Sequence, residues 1–284
     1  MKIIKNKTEA LKAVKKDGYV LEYAREELKA NKEVILEAVK QNGHALGYAS
    51  EELKADKEVV LEAIRQNGLA LEYASEELRA DKEIVLEAVK EDGCSLYYVS
   101  EELKNNKKVV FKAVKESGFA LQFANAGLKN DKEVVLVAIK QTGSALQYAS
   151  NEIQKNQKVV LEAVKKDGLA LKFANKRLKS DKKIVLEAVK KNGLALMCAS
   201  KDLKKDREIV LEAMKEHGMA LKHVSEDLKS DKVFLYELKD FLIKNSETFT
   251  KEYELLKSYE REDKINEKLE LVKQENFPRS KTKI

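Results

Sequence analysis

Hydrophobic and polar positions recur along this chain with a period of 25 residues. Residues 56–80, DKEVVLEAIRQNGLALEYASEELRA, show the unit. Its first half carries apolar residues at Val59, Val60, Leu61, Ala63 and Ile64, between Asp56 and the pair Asn67-Gly68. That spacing predicts a helix of about three turns. An Asp or Asn stands at its start in every unit, at Asn6, Asn31, Asp56, Asp81, Asn106, Asp131, Asn156, Asp181, Asp206 and Asp231. Such a residue offers a side-chain oxygen to a free backbone N–H, and each cap contributes about 1 kcal/mol.

Gly18, Gly43, Gly68, Gly93, Gly118, Gly143, Gly168, Gly193 and Gly218 follow the helix at intervals of 25, with no insertion or deletion. Placed after a last turn, each is expected to close its helix in the left-handed conformation. A second, shorter helix of about two turns is expected next, since Leu recurs three residues after each glycine and a small residue six after. Ser75-Glu76-Glu77-Leu78 then reads as a single turn, with 3₁₀ one form open to it.

Helices this short are marginal alone, so each unit must bury its apolar face against its neighbours. The expected fold is therefore all-α, a right-handed α-solenoid (superhelix) of nine 25-residue two-helix repeats. The array occupies residues 1–230, with a degenerate first repeat as its N-terminal cap. Residues 231–245 are expected to form a partial tenth repeat, a longer helix running through Val233-Phe234-Leu235-Tyr236 and Leu238 to Phe241-Leu242-Ile243 that can seal the exposed core. Residues 246–284 are expected to be a charged helical extension, either folding back or projecting toward a partner, with a basic tail.

The motif DKEVVLEAxxxNGxALxYASEELxx resembles the DUF4116 family of helical repeats, a domain of unknown function, over residues 6–230. The resemblance implies the repeat fold and carries no activity, cofactor or site residue with it.

Composition narrows the classes. The chain is 43% hydrophobic and 37% charged, with one Pro and no Trp, which fits a folded helical protein. No apolar run reaches the roughly 18–20 residues of a membrane span, and the first residues lack the apolar core of a secretion signal. A soluble, reducing compartment such as the cytoplasm is expected; export without a cleavable signal would leave no mark here. Cys94 and Cys198 match no metal or redox spacing and read as packing residues.

No catalytic constellation emerges. His44, His217 and His223 occupy three different repeat positions; His223 takes an aromatic packing position, and the other two read as surface groups. The serines of the YAS motif recur as caps, and Glu76-Glu77 recurs as a solvated ladder. No metal or cofactor is expected, and the chain reads as a non-enzyme.

Comparison between repeats isolates what the architecture does not require. The residue after the glycine and the one three further on vary most, and together they form a stripe. Tyr97, Phe119, Leu169, Leu194, Met197 and Met219 are its candidate protein-binding residues. Alanine at Tyr97, Phe119 and Met197 is expected to weaken a partner without lowering the melting temperature.

A basic residue precedes each glycine by three, and glutamates one turn earlier answer most of these, as in Glu37 with Lys40. Charge nonetheless drifts along the chain. Residues 1–100 hold 16 basic and 20 acidic groups, net −4, whereas residues 151–205 hold 15 and 6, net +9. Lys172, Lys176, Arg177, Lys179, Lys182 and Lys183 form the candidate basic patch, able to meet an acidic protein, an anionic lipid surface or nucleic acid. The functional expectation is a monomeric protein-interaction scaffold, with nucleic acid or an anionic surface as the alternative partner.

Overall fold

All ten Asp and Asn residues named above start a helix. Each accepts a hydrogen bond from a backbone N–H two or three residues on, as Asp56 does from Glu58 and Val59. The computed structural model describes residues 3–244. The charged stretch from Ser246 and the basic tail lie outside the described residues. Helices and turns fill the rest, with one isolated parallel bridge between Ile4 and Ala24.

A typical repeat holds a ten-residue α-helix, a six-residue 3₁₀ segment and one final turn. Lys57–Gln66, Gly68–Tyr73 and Glu76–Arg79 are one such set. The final turn is α-helical in most repeats and 3₁₀ at Ile153–Lys155, Leu178–Ser180 and Leu203–Lys205.

The expected second helix is thus not an α-helix. Ala70 N–H bonds to the Asn67 carbonyl at 2.9 Å and Ala74 N–H to that of Leu71 at 3.2 Å, both spanning three residues. Three residues per turn eclipses positions three apart and divides the segment into three files. Gly68, Leu71 and Ala74 form a buried file, while Leu69 and Glu72 form an outward one. The Gly, Leu and small-residue spacing already carried this period of three.

The glycine's role also differs from expectation. No glycine among the described residues has a positive φ. Asn67, not the glycine, ends the long helix: its N–H bonds to the Ala63 carbonyl, its backbone turns extended, and its side chain accepts Leu69 N–H at 2.9 Å. Gly68 is needed because it lies against the next repeat. A Cβ there would sit 2.5 Å from the Ala88 oxygen and 2.8 Å from the Asp92 nitrogen. Gly93 meets Ala113 in the same way, at 2.3 Å.

The chain divides into two compact parts, Met1–Asn175 and Lys176–Ile284. In the first, successive long helices from Lys7–Val14 to Gln157–Lys166 pack each on the next; in the second, Lys182–Lys191 packs on Arg207–Glu216. Each ten-residue helix buries the same four positions, exemplified by Val34, Ile35, Ala38 and Val39, all at zero exposure, while Lys7–Val14 buries only Ala10 and Val14 of them. Ala45, Leu46 and Leu53 add the 3₁₀ segment and final turn of that repeat to the core. Lys232–Lys244 forms the partial tenth repeat, with Phe234 and Leu238 buried.

Polar links join neighbouring repeats as well. Ser75 N–H bonds to the Lys54 carbonyl at 2.9 Å, and the bond recurs at Ser50, Ser100, Ser150, Ser200 and Ser225. Arg25 N–H makes it to the Ile4 carbonyl, in the segment before the first helix. Side chains add a second link: Lys57 meets the Asp81 cap at 2.5 Å, and Lys107 meets both Asp131 at 2.8 Å and Glu133 at 2.7 Å.

Candidate interaction surfaces

The outward file of each 3₁₀ segment is where the repeats differ and where solvent reaches them. Tyr97 is 56% exposed and Met197 50%, and Phe119, Leu169 and Met219 are exposed too. Leu194 is half-buried. Tyr97, Phe119 and Leu169 belong to the first compact part, and Leu194, Met197 and Met219 to the second. The framework beneath is uniform, since Leu96, Leu121, Leu171, Leu196 and Leu221 are all buried.

Several members of the file also pack sideways. Tyr97 stands edge-on to Tyr98 at 4.9 Å and to Phe123 at 5.1 Å, and Phe119 to Tyr148 at 6.3 Å. Tyr19 with Tyr48, and His44 with Tyr73, continue the pattern. Edge-to-face pairs of this kind contribute about 0.5–1.5 kcal/mol. Tyr97 is therefore a packing residue and an exposed one together. Burial first, and the Glu72 carboxylate next, pushes the Tyr73 and Tyr98 phenols up from their ordinary value.

The basic patch is less free than its sequence indicates. Lys176, Arg177 and Lys183 are exposed and have no carboxylate partner among the described residues, whereas Lys179 is half-buried. Lys182 is committed to Asp206 and Glu208, both at 2.8 Å, and the bond to Asp206 foremost pushes its ammonium up to about 12. Lys172, in the first compact part, lies over the Phe173 ring at 5.7 Å.

Groups with catalytic potential have structural partners. Ser75, Ser150, Ser200 and Ser225 cap the final turns by accepting the N–H three residues on. Glu51 and Glu101 pair with Lys54 and Lys104, each at 2.8 Å, while backbone bonding first and the Ser75 hydroxyl next hold the Glu77 carboxyl low. His44 is half-buried and bonds to Asn67 at 2.9 Å, so it is not the surface group expected; its neighbour Tyr73 explains the burial. His217 is half-buried too, because it occupies the cap position before Gly218. Burial first, with Lys204, Lys229 and Lys222 next, pushes the His223 imidazole down. Among the described residues no three metal-ligating side chains come together, and the Cys94 and Cys198 side chains are both half-buried.

The family model for the domain of unknown function DUF4116 matches residues 6–54, 56–104, 81–126, 106–154, 156–204 and 206–244. This chain belongs to the DUF4116 family. Most of these matches span close to two of the 25-residue periods; the one over residues 56–104 covers the approach of Gly68 to Ala88 and the bond from Ser100 N–H to the Arg79 carbonyl. No curated protein and no solved structure matches the chain.

Proposed function

We propose that this DUF4116 protein is a non-enzymatic scaffold that binds another protein through the outward file of its 3₁₀ segments. The reading takes the array as nine repeats of a right-handed α-solenoid, acting as a monomer in a soluble, reducing compartment. One observation carries it: exposed, chemically varied side chains such as Tyr97, Phe119, Leu169, Met197 and Met219 stand at two positions, the one after the glycine and the one three further on, of an otherwise uniform repeat. A uniform frame with a variable face suits recognition, since the frame is maintained by packing and the face is free to match a partner. No described helix is long and apolar enough to cross a membrane.

Affinity capture with mass spectrometry tests the reading when the wild-type chain is run beside Phe119→Ala/Leu169→Ala/Met197→Ala/Met219→Ala. Partners retained by the wild type and lost by the variant, at unchanged helical content, support it. An identical partner set at equal yield contradicts it.

The alternative partner is nucleic acid or an anionic surface, favoured by the exposed Lys176, Arg177 and Lys183, which lack carboxylate partners among the described residues. Fluorescence anisotropy with mixed oligonucleotides separates the two. Affinity that falls steeply with salt supports the alternative, and absence of binding at low salt removes it.

A further inference from the structure

The long helices turn a second face to solvent, opposite their buried residues. In Lys82–Glu91 the buried positions are Ile84, Val85, Ala88 and Val89, which leaves Glu83, Leu86, Glu87 and Lys90 on the other side. The position of Leu86 is Leu in every other repeat from Leu11 to Leu211 except one, where it is Phe111. Two neighbours change with it. Lys108 stands where Glu33, Glu58, Glu83 and Glu133 stand in nearby repeats, and Lys112 where Glu37, Glu62 and Glu87 do. One helix has thus exchanged two acids for bases around an enlarged apolar group.

Leu86 and Phe111 lie in an open groove of about 1000 Å³ whose rim includes Lys107, Lys108, Lys112 and Lys115. Two of its three acids are already matched within the protein, Glu87 by Lys90 at 3.0 Å and Glu133 by Lys107 at 2.7 Å, and with Glu83 they stand against five lysines. Lys112 turns toward Glu116 at 3.2 Å, while Lys108 and Lys115 have no carboxylate partner among the described residues. A surplus of positive charge therefore surrounds an apolar floor. The volume is at the upper end for small-molecule sites, which are roughly 300–1,000 Å³, but those enclose their ligands and this groove is open. A chain segment laid along the helices suits that shape better.

We infer that this groove docks an acidic peptide segment bearing a bulky apolar anchor. The anchor rests on Phe111 and Leu86, and carboxylates on either side reach Lys108 and Lys115. The face is separate from the outward file of the 3₁₀ segments, so the two readings stand or fall independently.

The test uses the full chain and a fluorescein-labelled peptide in which a central Leu-Phe pair is flanked by glutamates, read by anisotropy at low and moderate salt. Lys108→Glu with Lys112→Glu, and separately Phe111→Leu, install residues that neighbouring repeats carry, so both variants keep the fold. The control pair Lys40→Glu/Lys140→Glu makes the same charge change at equivalents of Lys90 and Lys115 outside the groove. Binding should weaken about tenfold in the charge variant, about threefold in Phe111→Leu and less than about twofold in the control. Phe119→Ala/Met197→Ala should leave it unchanged. No binding at low salt, an equal loss in the control pair, or equal affinity for a polyglutamate without the anchor or for a single-stranded oligonucleotide would overturn the inference.

Discussion

Replacing Gly68 by alanine separates close approach from backbone conformation as the reason for the recurring glycine. A Cβ at this position lies 2.5 Å from the Ala88 carbonyl oxygen, about 0.9 Å inside the 3.4 Å at which ordinary contact begins. Two backbone atoms of the next repeat face it, so no flexible side chain can swing aside. Overpacking of this kind costs about 1–3 kcal/mol, while the alanine restricts the unfolded chain and returns about 0.4–1 kcal/mol. The net expectation is a loss of about 1–2 kcal/mol. Gly127 supplies the control, because its nearest neighbour would be 3.6 Å away in an open helical turn. Gly127→Ala should gain about 0.5–1 kcal/mol. Chemical denaturation followed by circular dichroism reads both, and the two variants should move the midpoint in opposite directions. A third variant, Gly68→Asn, sharpens the result, since Asn tolerates a left-handed backbone but carries a larger side chain than Ala. The reasoning fails if Gly68→Ala is neutral, or if Gly68→Asn is the more stable of the two.

Ser95 is fully buried with an unpartnered hydroxyl, in a position where other repeats have Ala45, Ala70 and Ala120; Ser95→Ala should raise stability by about 1 kcal/mol in the same denaturation assay. Asp81 and Asp131 are held below the ordinary carboxylate range, first by Lys57 and Lys107 and then by helix N–H groups. Their contribution is complete above the unfolded value of about 3.9 and is lost as pH falls through the lower folded value, so thermal midpoints should drop as the solution is acidified from about pH 5 to pH 2. Asp81→Asn/Asp131→Asn keeps the caps, as Asn31 and Asn106 show, and should flatten that drop; an unchanged slope would count against the ion-pair account. Met197→Ala should shift stability by less than about 0.5 kcal/mol, whereas Tyr97→Ala should lower it by about 1 kcal/mol because two ring contacts are lost. Equal effects from the two would show that the sideways ring contacts contribute nothing.

Much of this architecture was legible because every repeat is a copy of the same experiment. Ten Asp and Asn residues at one register predict ten caps, and all ten form. The glycines were equally visible, but their reason was not. A sequence shows that no side chain fits, without showing whether φ or a neighbour forbids it. The 3₁₀ segments were misjudged for a related cause: a period of three among Gly68, Leu71 and Ala74 is compatible with one face of an α-helix until the bonding is known. The lysine that follows most caps, as Lys57 follows Asp56, carried the signal for the bridge to Asp81, yet pairs 24 residues apart become neighbours only once the stacking is known. Lys182 illustrates the consequence, since its charge is spent on Asp206 and Glu208 rather than offered to a partner. Phe111 departs from a position that is otherwise Leu, so comparison at that register alone would have singled it out; it is less variable than the 3₁₀ file and stands out only by its chemistry.

Site-specific photo-crosslinking tests the central claim, that a partner protein meets the outward file of the 3₁₀ segments. A photoreactive phenylalanine analogue placed singly at Phe119, Met197 and Met219 probes the file; the same analogue at Leu136 and Lys190 probes the outward side of the long helices. The account predicts that a protein captured by the full chain crosslinks from Phe119, Met197 and Met219, and only weakly from Leu136 and Lys190. Equal crosslinking from all five positions, or crosslinking from Leu136 and Lys190 alone, would contradict it.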